Sequence, residues 1–347
     1  MKKLTRFLAI VMMLALVFTL CSANAFAADK KVVKLAFTDP PTLTVGDMTI
    51  YHHSYAAMLA FKGAFEKSTG GEYSVELYPN GVLGDAASTM EQILMGTLTG
   101  STPADGALSA FAPDIQVLSI PFLFDNPTIG YDVMDGPFGQ ALIEKIAAET
   151  GFRIIASYDN GGYRNFTNSK REIRSAEDMK GLNIRVMDSP VYLELVKALG
   201  ASGTPIAFME LYSALQTGVV DGQENSAVTT LGASLDEVQP YCTLDGHLLG
   251  WAFLTIGEDW YQSLDDATKA AVIEAGREAQ MAARGTCRYA EALAIATLTD
   301  AGVQVYAPSA EELATFKVAQ EPVIEYLKTI IDPALVDGLL EAIEAVS

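Results

Sequence analysis

The segment NIRVMDSP, residues 183–190, predicts a short strand that leads directly into a helix. Leu182, Ile184 and Val186 alternate along it, so they share one face of the strand. Arg185 then points to the opposite face. The serine and proline that close the segment are typical of a helix N-cap followed by proline at the first helical position. The segment therefore predicts an α/β unit with one arginine away from its apolar face.

Arg185 needs a partner, because a charge buried alone in an apolar strand is very costly. The planar donor fork of an arginine matches a carboxylate bidentately. The strand pattern alone favours a solvated edge arginine, or one paired with an internal Asp or Glu. A binding role therefore depends on the residues that surround this strand in the sequence.

Four motifs in order resemble those of solute-binding proteins of tripartite ATP-independent periplasmic (TRAP) transporters, of the dicarboxylate-binding (DctP) type. They are LYPNGVLGD (77–85), PFLF (121–124), TNSKREIRSAEDMKGLNIRV (167–186) and TPIAFMELYSALQTGVVDGQEN (204–225). Their spacing is also similar, and the resemblance covers nearly the whole mature chain. It implies a two-domain α/β periplasmic binding protein fold, in which open sheets are flanked by helices and a long spine helix spans both domains.

The resemblance also implies roles for single residues. Arg185 would bind a solute carboxylate, with Arg164 as the second arginine and Asn225 as an amide donor. Phe208 matches the aromatic residue that packs on the solute, and the loop at Thr102 would approach it. The residues by themselves leave simpler roles open: a surface arginine for Arg164, a core position for Phe208 and a helix cap for Asn225.

Further candidates lie near predicted crossings between the domains. His52 and His53 open the first helix, where helix starts face the ligand crevice of an open sheet, so His53 is a candidate ligand residue or a cap. Asp159 belongs to a polar, glycine-rich segment that we interpret as the first crossing. Trp251 follows the return crossing and either walls the cleft or fills a core.

The order of predicted elements is that of an open α/β sheet. The elements are a strand at 31–37, a loop at 38–48, a helix at 50–67, a strand at 73–78 and a helix at 86–96. Later, a buried strand at 152–157 and the polar segment 158–164 precede a second strand. Residues 221–225 are predicted at the head of a helix, and 264–301 as one long helix, broken near Gly285.

Resemblance and crossings together give a division of the chain. Residues 1–27 are predicted to be a signal peptide, with a positive start, an apolar core and an Ala-Phe-Ala cleavage site. Domain I comprises 28–159 and 250–288, and domain II comprises 160–249 and 289–347.

Leu20 before Cys21 is wrong for a lipoprotein signal, so we expect a periplasmic protein without a lipid anchor. Cys242 and Cys287 are equally compatible with a disulfide and with two buried thiols.

Composition and motifs together limit the function. The net charge of −20 argues against nucleic-acid binding, since no basic patch can replace phosphate counterions. The sequence contains no Walker A, G-x-S-x-G, H-E-x-x-H or G-x-G-x-x-G motif and only three histidines. We therefore predict a binding protein rather than an enzyme, without a cofactor or metal.

The expected partners are a small organic acid and the membrane subunits of a TRAP permease, and we expect a monomer. A sugar acid, an aromatic acid and a dicarboxylate are all compatible with the sequence. Three other functions stay open at this point: a periplasmic enzyme that acts on organic acids, the binding subunit of an ATP-driven transporter, and the ligand-binding subunit of a sensor.

Overall fold

The computed structural model describes residues 30–347, so the predicted signal peptide at 1–27 lies outside the described residues. Its strands are β1 (Lys31–Ala36), β2 (Thr42–Val45), β3 (Met48–Tyr51), β4 (Tyr73–Tyr78), β5 (Gly100–Ser101), β6 (Phe152–Asn168), β7 (Asn183–Val186), β8 (Ser202–Pro205), β9 (Gly222–Ser226), β10 (Tyr241–Gly257) and β11 (Gln304–Tyr306).

The α-helices surround these strands. They are α1 (His53–Ser68), α2 (Ala86–Leu94), α3 (Asp105–Leu108), α4 (Pro127–Asp135), α5 (Pro137–Thr150), α6 (Pro190–Ala198), α7 (Leu211–Gln216), α8 (Ala227–Gly232), α9 (Glu258–Gln262), α10 (Asp266–Asp300), α11 (Ala310–Phe316), α12 (Gln320–Ile330) and α13 (Pro333–Glu344). Short 3₁₀ turns occur at Pro113–Ser119, Ala176–Met179, Phe208–Glu210, Leu235–Glu237 and Lys317–Ala319.

One mixed sheet carries the fold, which confirms the predicted α/β class. Its strand order is β4-β1-β5-β10-β6-β9-β7-β8, with β11 beside β10. β1 is parallel to β4 and β5, and β7 is parallel to β8 and β9. Parallel neighbours need helical crossovers, which cover the faces of the sheet and bury its apolar strands. We call β1, β4 and β5 with their helices lobe I, and β7, β8 and β9 with theirs lobe II.

Two long antiparallel strands, β6 and β10, join the lobes. Each has 17 residues. The first half of β6 pairs with the part of β10 next to β5, and its second half, Arg164–Asn168, pairs with β9. The predicted domain limits at residues 159/160 and 249/250 fall within these two strands. The division of the whole chain into two domains stays a prediction.

The prediction that segment 158–164 interrupts a strand is wrong. β6 continues through it, although Gly161 and Gly162 have φ angles of +82° and +98°. Glycine adopts such angles without steric cost, so the strand becomes irregular without ending. The ladder to β10 shifts its register at the same level. The glycines thus mark the passage from one lobe to the other inside a continuous strand.

Helix α10 is the predicted long helix, and it runs unbroken for 35 residues. Asp265 caps its start by accepting a hydrogen bond from the backbone N–H of Thr268 at 2.8 Å. Its buried face consists largely of Ala and Gly, and a Cβ on Gly276 would lie 2.2 Å from the carbonyl oxygen of Ile155. The predicted break near Gly285 is wrong, because this exposed glycine leaves the helix intact.

Two other local predictions are wrong. The hairpin β2–β3 spans residues 42–51, where the sequence predicted a loop up to 48 and a helix from 50; helix α1 begins only at His53. Residues 222–226 form strand β9 rather than the head of a helix, because they pair with β6 on one side and β7 on the other. The helix begins only at Ala227, with Ser226 as its N-cap.

Two observations complete the fold. Cys242 and Cys287 are free, buried thiols, so the disulfide left open by the sequence does not form. Among residues 30–347, every helix is too short or too polar to cross a lipid bilayer.

Candidate functional site

A cavity of about 350 Å³ lies between the two lobes. Its walls come from the carboxyl ends of strands on both sides: residues 37–39 after β1 and 101–104 at β5 in lobe I, and residues 185–188 at β7 and 205–209 after β8 in lobe II. This is where open α/β sheets place their ligands.

Arg185 is the single cationic side chain in the described wall of this cavity. It is only 2% exposed. Its Nε donates to the backbone oxygen of Ile206 at 2.8 Å, and no Asp or Glu among residues 30–347 forms an ion pair with it. Burial lowers the pKa of Arg185 to about 10, so the guanidinium remains charged at neutral pH. The cavity therefore holds a buried cation without a protein counter-ion.

Three other predicted residues line the same cavity. They are Asn225, Phe208 and Thr102. Asn225 lies on β9, and its Nδ2 donates to Oε1 of Gln223 at 2.6 Å, which leaves one amide N–H for a ligand. Phe208 is half-buried, and Thr102 is buried with no hydrogen-bond partner for its hydroxyl among the described residues. These three residues add an amide, an aromatic ring and a hydroxyl to the guanidinium.

Arg164 does not line the cavity, so the prediction of direct contact needs correction. It is fully buried, and its Nε donates to Oε2 of Glu224 at 2.5 Å while Nη2 donates to Oε1 at 2.9 Å. The guanidinium also lies over the ring of Tyr192, 5.4 Å from its centroid. Glu224 neighbours Arg164 only through the pairing of β6 with β9, so this ion pair was not predictable from the sequence.

A buried polar network continues behind Arg164. His247 lies 2.7 Å from Asp245 and 3.4 Å from Glu224. Burial by itself lowers the pKa of His247, but the two carboxylates outweigh it and raise the pKa to about 9. For Glu224 the directions are opposite: burial by itself raises its pKa, but Arg164 and His247 outweigh burial, so the pKa is lowered overall. The network neutralises its own charges and fixes β9, which carries Asn225.

Asp159 and Trp251 also lie away from the cavity. The carboxylate of Asp159 accepts hydrogen bonds from Tyr131 and from Arg288 of α10, so it joins β6 to the spine helix. Trp251 is fully buried and stacks at 6.4 Å on Phe253, which makes it a core residue. Both positions lie on the central strands, whose neighbours cannot be derived from the sequence pattern.

His53 is one residue removed from the cavity. Its Nε2 lies 2.9 Å from Oδ1 of Asn160, and Asn160 lines the wall. Burial lowers the pKa of His52 to about 3 and that of His53 to about 4. Both rings are therefore neutral, and His53 orients Asn160 rather than presenting itself to a ligand.

Sequence reasoning missed several cavity residues. They include Asp39, Asn160, Met187 and Asp188. Asp39 carried a usable signal, since it follows directly after the first predicted strand, where parallel strands present ligand-binding loops. Asn160 is adjacent to the candidate Asp159, and only the direction of the side chains in β6 distinguishes the two.

The arrangement can bind an anion but carries no catalytic constellation. No nucleophile–base pair occurs in the cavity wall, and residues 30–347 contain no group of three or more His, Cys, Asp or Glu that could hold a metal ion. The profile of DctP, the bacterial extracellular solute-binding proteins of family 7, matches residues 49–329. The chain belongs to the DctP family.

Relatives agree over most of the chain. A solute-binding protein of Verminephrobacter eiseniae is 34% identical over 73% of this chain and 75% of its own. The sugar acid binding protein DctPAm of Advenella mimigardefordensis, solved with galactonate, has a TM-score of 0.84 at 29% identity and covers 92% of this chain and 100% of its own.

A TRAP periplasmic solute-binding protein of Desulfovibrio salexigens, solved with orotic acid, has a TM-score of 0.85 at 26% identity. It covers 92% of this chain and 100% of its own. The two-domain binding protein fold and the family predicted from the motifs are confirmed. This DctP-family chain is thus an extracytoplasmic solute-binding component of a TRAP transporter, and not an enzyme.

Proposed function

We propose that this protein captures a small organic acid by its carboxylate and closes its lobes around it. The observation that carries the proposal is the buried guanidinium of Arg185, which faces the cavity without an acidic partner among the described residues. A bound carboxylate would supply the missing counter-ion and accept two parallel N–H bonds. The amide of Asn225 would add a further donor.

Closure of the lobes would strengthen this contact. Removing water lowers the local dielectric, which increases the attraction between guanidinium and carboxylate. Hinge closure around a ligand is a common response of two-lobed binding proteins. Arg164 would act from behind the wall: its ion pair with Glu224 holds β9, and thereby Asn225, in position.

The same proposal includes the finer cellular features. The protein would be a monomer that reaches the periplasm through cleavage after Ala27 and delivers its solute to the membrane subunits of a TRAP permease. Mass spectrometry of the exported protein tests the cleavage, with Ala28 expected as the first residue. An N-terminal lipid on Cys21 would contradict it.

The test of binding is Arg185→Ala, measured by isothermal titration calorimetry against an organic-acid library after removal of any co-purified solute. We expect the affinity for every bound acid to fall at least tenfold, since about 2–5 kcal/mol is lost when one partner of a buried charge pair is removed. Arg277→Ala is the matched control, because Arg277 is an exposed residue of α10 outside the cavity. If Arg185→Ala bound organic acids with unchanged affinity, capture of the solute carboxylate by Arg185 would be refuted.

A further inference from the structure

The lobe I wall of the cavity carries a carboxylate of its own, Asp39. This residue follows β1, and its Oδ2 accepts a hydrogen bond from Oγ of Ser54 at 3.0 Å. Nδ1 of His52 lies 3.8 Å from the same Oδ2. That nitrogen already accepts from the backbone N–H of Ser54, and the ring is neutral, so it supplies no charge. Oδ1 of Asp39 has no hydrogen-bond partner within residues 30–347.

Two buried hydroxyl groups beside Asp39 are also unsatisfied. Oγ1 of Thr102 has no partner among the described residues, although Thr102 is only 6% exposed and lines the cavity. The hydroxyl of Tyr158 lies close to Thr102 and Ser54 and likewise lacks a partner that meets hydrogen-bond geometry. Buried polar groups are normally paired, and each unpaired one costs free energy. A ligand group that fills this corner would satisfy the hydroxyl of Thr102, which lines the cavity.

This polar corner and Arg185 belong to opposite sides of the cavity. β1 and β7 lie on different flanks of the sheet, separated by β5, β10, β6 and β9. A solute whose carboxylate is held by Arg185 in lobe II therefore extends its other end towards lobe I. We call Asp39 and Thr102, which both line the cavity, the distal subsite.

We infer that the distal subsite selects organic acids that carry a hydrogen-bond donor, a hydroxyl or an ammonium group, at the end opposite the carboxylate. The inference rests on the proposed function and narrows its solute class. Burial raises the pKa of Asp39, while His53 and the hydrogen bond from Ser54 oppose this shift. In its ionised form the carboxylate only accepts hydrogen bonds, so it pairs with O–H or N–H. A second carboxylate at that position would face Asp39 across a space with little water, and like charges there repel strongly. An apolar end would leave Asp39 and Thr102 unpaired.

The experiment compares acids of one carbon-chain length that differ at the distal end. 6-Hydroxyhexanoate presents a hydroxyl group, ε-aminocaproate an ammonium group, adipate a second carboxylate and hexanoate only a methyl group. Calorimetry on the solute-free mature protein should rank 6-hydroxyhexanoate or ε-aminocaproate at least tenfold tighter than adipate and hexanoate, because leaving a charged acceptor unpaired costs a factor of about 10 to 100. Which of the two leads distinguishes the hydroxyl from the ammonium donor.

Three variants separate this inference from the proposed function. Asp39→Asn should weaken the preferred donor-bearing acid and reduce the discrimination against adipate. Asp47→Asn is the control: it removes the same charge from the exposed turn of the β2–β3 hairpin, outside the cavity, and it should leave the ranking unchanged. Arg185→Ala should weaken all acids alike.

The outcomes are distinct. If adipate or hexanoate binds as tightly as the donor-bearing acids, or if Asp39→Asn keeps the original ranking while Arg185→Ala abolishes binding, the distal subsite is refuted and the carboxylate mechanism stands. If Arg185→Ala binds like the unaltered protein, or if no acid binds, the proposed function itself fails and the inference fails with it.

Discussion

Replacing Arg185 by methionine should stabilise the solute-free protein while abolishing its binding of acids. Burial lowers the pKa of Arg185 from 12.5 to about 10. At about 1.4 kcal/mol per pKa unit, the ionised side chain destabilises the empty fold by about 3 kcal/mol. Methionine fills a similar volume without charge. Subtracting about 1 kcal/mol for the lost hydrogen bond to Ile206 leaves a net stabilisation of about 2 kcal/mol.

Arg164→Met supplies the contrast, because the two arginines are equally buried but differently paired. Removing Arg164 would leave the carboxylate of Glu224 with His247 as its remaining charged partner. Breaking a buried ion pair from one side typically costs about 3–5 kcal/mol. Arg185→Met should therefore stabilise the empty protein, and Arg164→Met, on β6 two strands away, should destabilise it.

The assay is urea unfolding of solute-free protein, prepared by unfolding, dialysis and refolding, alongside calorimetry with the best acid of the library. We expect the urea midpoint of Arg185→Met to lie above that of the unaltered protein and that of Arg164→Met to lie below it. Acid binding by Arg185→Met should fall below detection. A lower midpoint for Arg185→Met would show that Arg185 is stabilised by the protein itself, and the argument for an external carboxylate would then be refuted.

Three further predictions concern pH, closure and the thiols. The pKa of His247 in the folded protein, about 9, lies above its ordinary value of 6.5. The protonated ring therefore stabilises the fold fully below about pH 6.5, and this stabilisation is lost as the pH rises through about 9. His247→Gln should flatten this alkaline decline of the melting temperature in thermal-melting experiments. A Cβ on Gly106 of lobe I would lie 2.8 Å from the Cβ of Met187 in lobe II, so Gly106→Leu should hinder closure and weaken acid binding about fivefold or more in calorimetry. Adding Met187→Gly, which removes that Cβ, should restore part of the affinity. Cys242 and Cys287 are buried and free, and burial raises the pKa of both thiols. Both thiols should therefore react with a thiol reagent only after the protein is unfolded. A disulfide in the native protein would contradict the structure.

Local patterns were sufficient for most of the elements. The alternation around Arg185 predicts β7 correctly, because strand residues point to opposite faces in turn. The acidic start of α10 and its long helical pattern predict the spine, since caps and periodicity are local properties. The prediction failed at Gly161 and Gly162, where a polar segment stays in a strand because β10 pairs with β6 immediately before and after these glycines.

The sequence by itself determined the family and the α/β class and predicted Arg185 as a binding residue, since motifs and strand alternation lie within short stretches of chain. Only the tertiary structure decided which arginine faces the cavity. Arg164 and Arg185 both lie on apolar strands, but strand pairing brings Glu224 to Arg164 and leaves Arg185 without an acid. The tertiary structure likewise placed Asp39 in the wall of the cavity opposite Arg185. Contacts between strands far apart in sequence are set by the packing of the whole sheet, and that information is absent from any single segment.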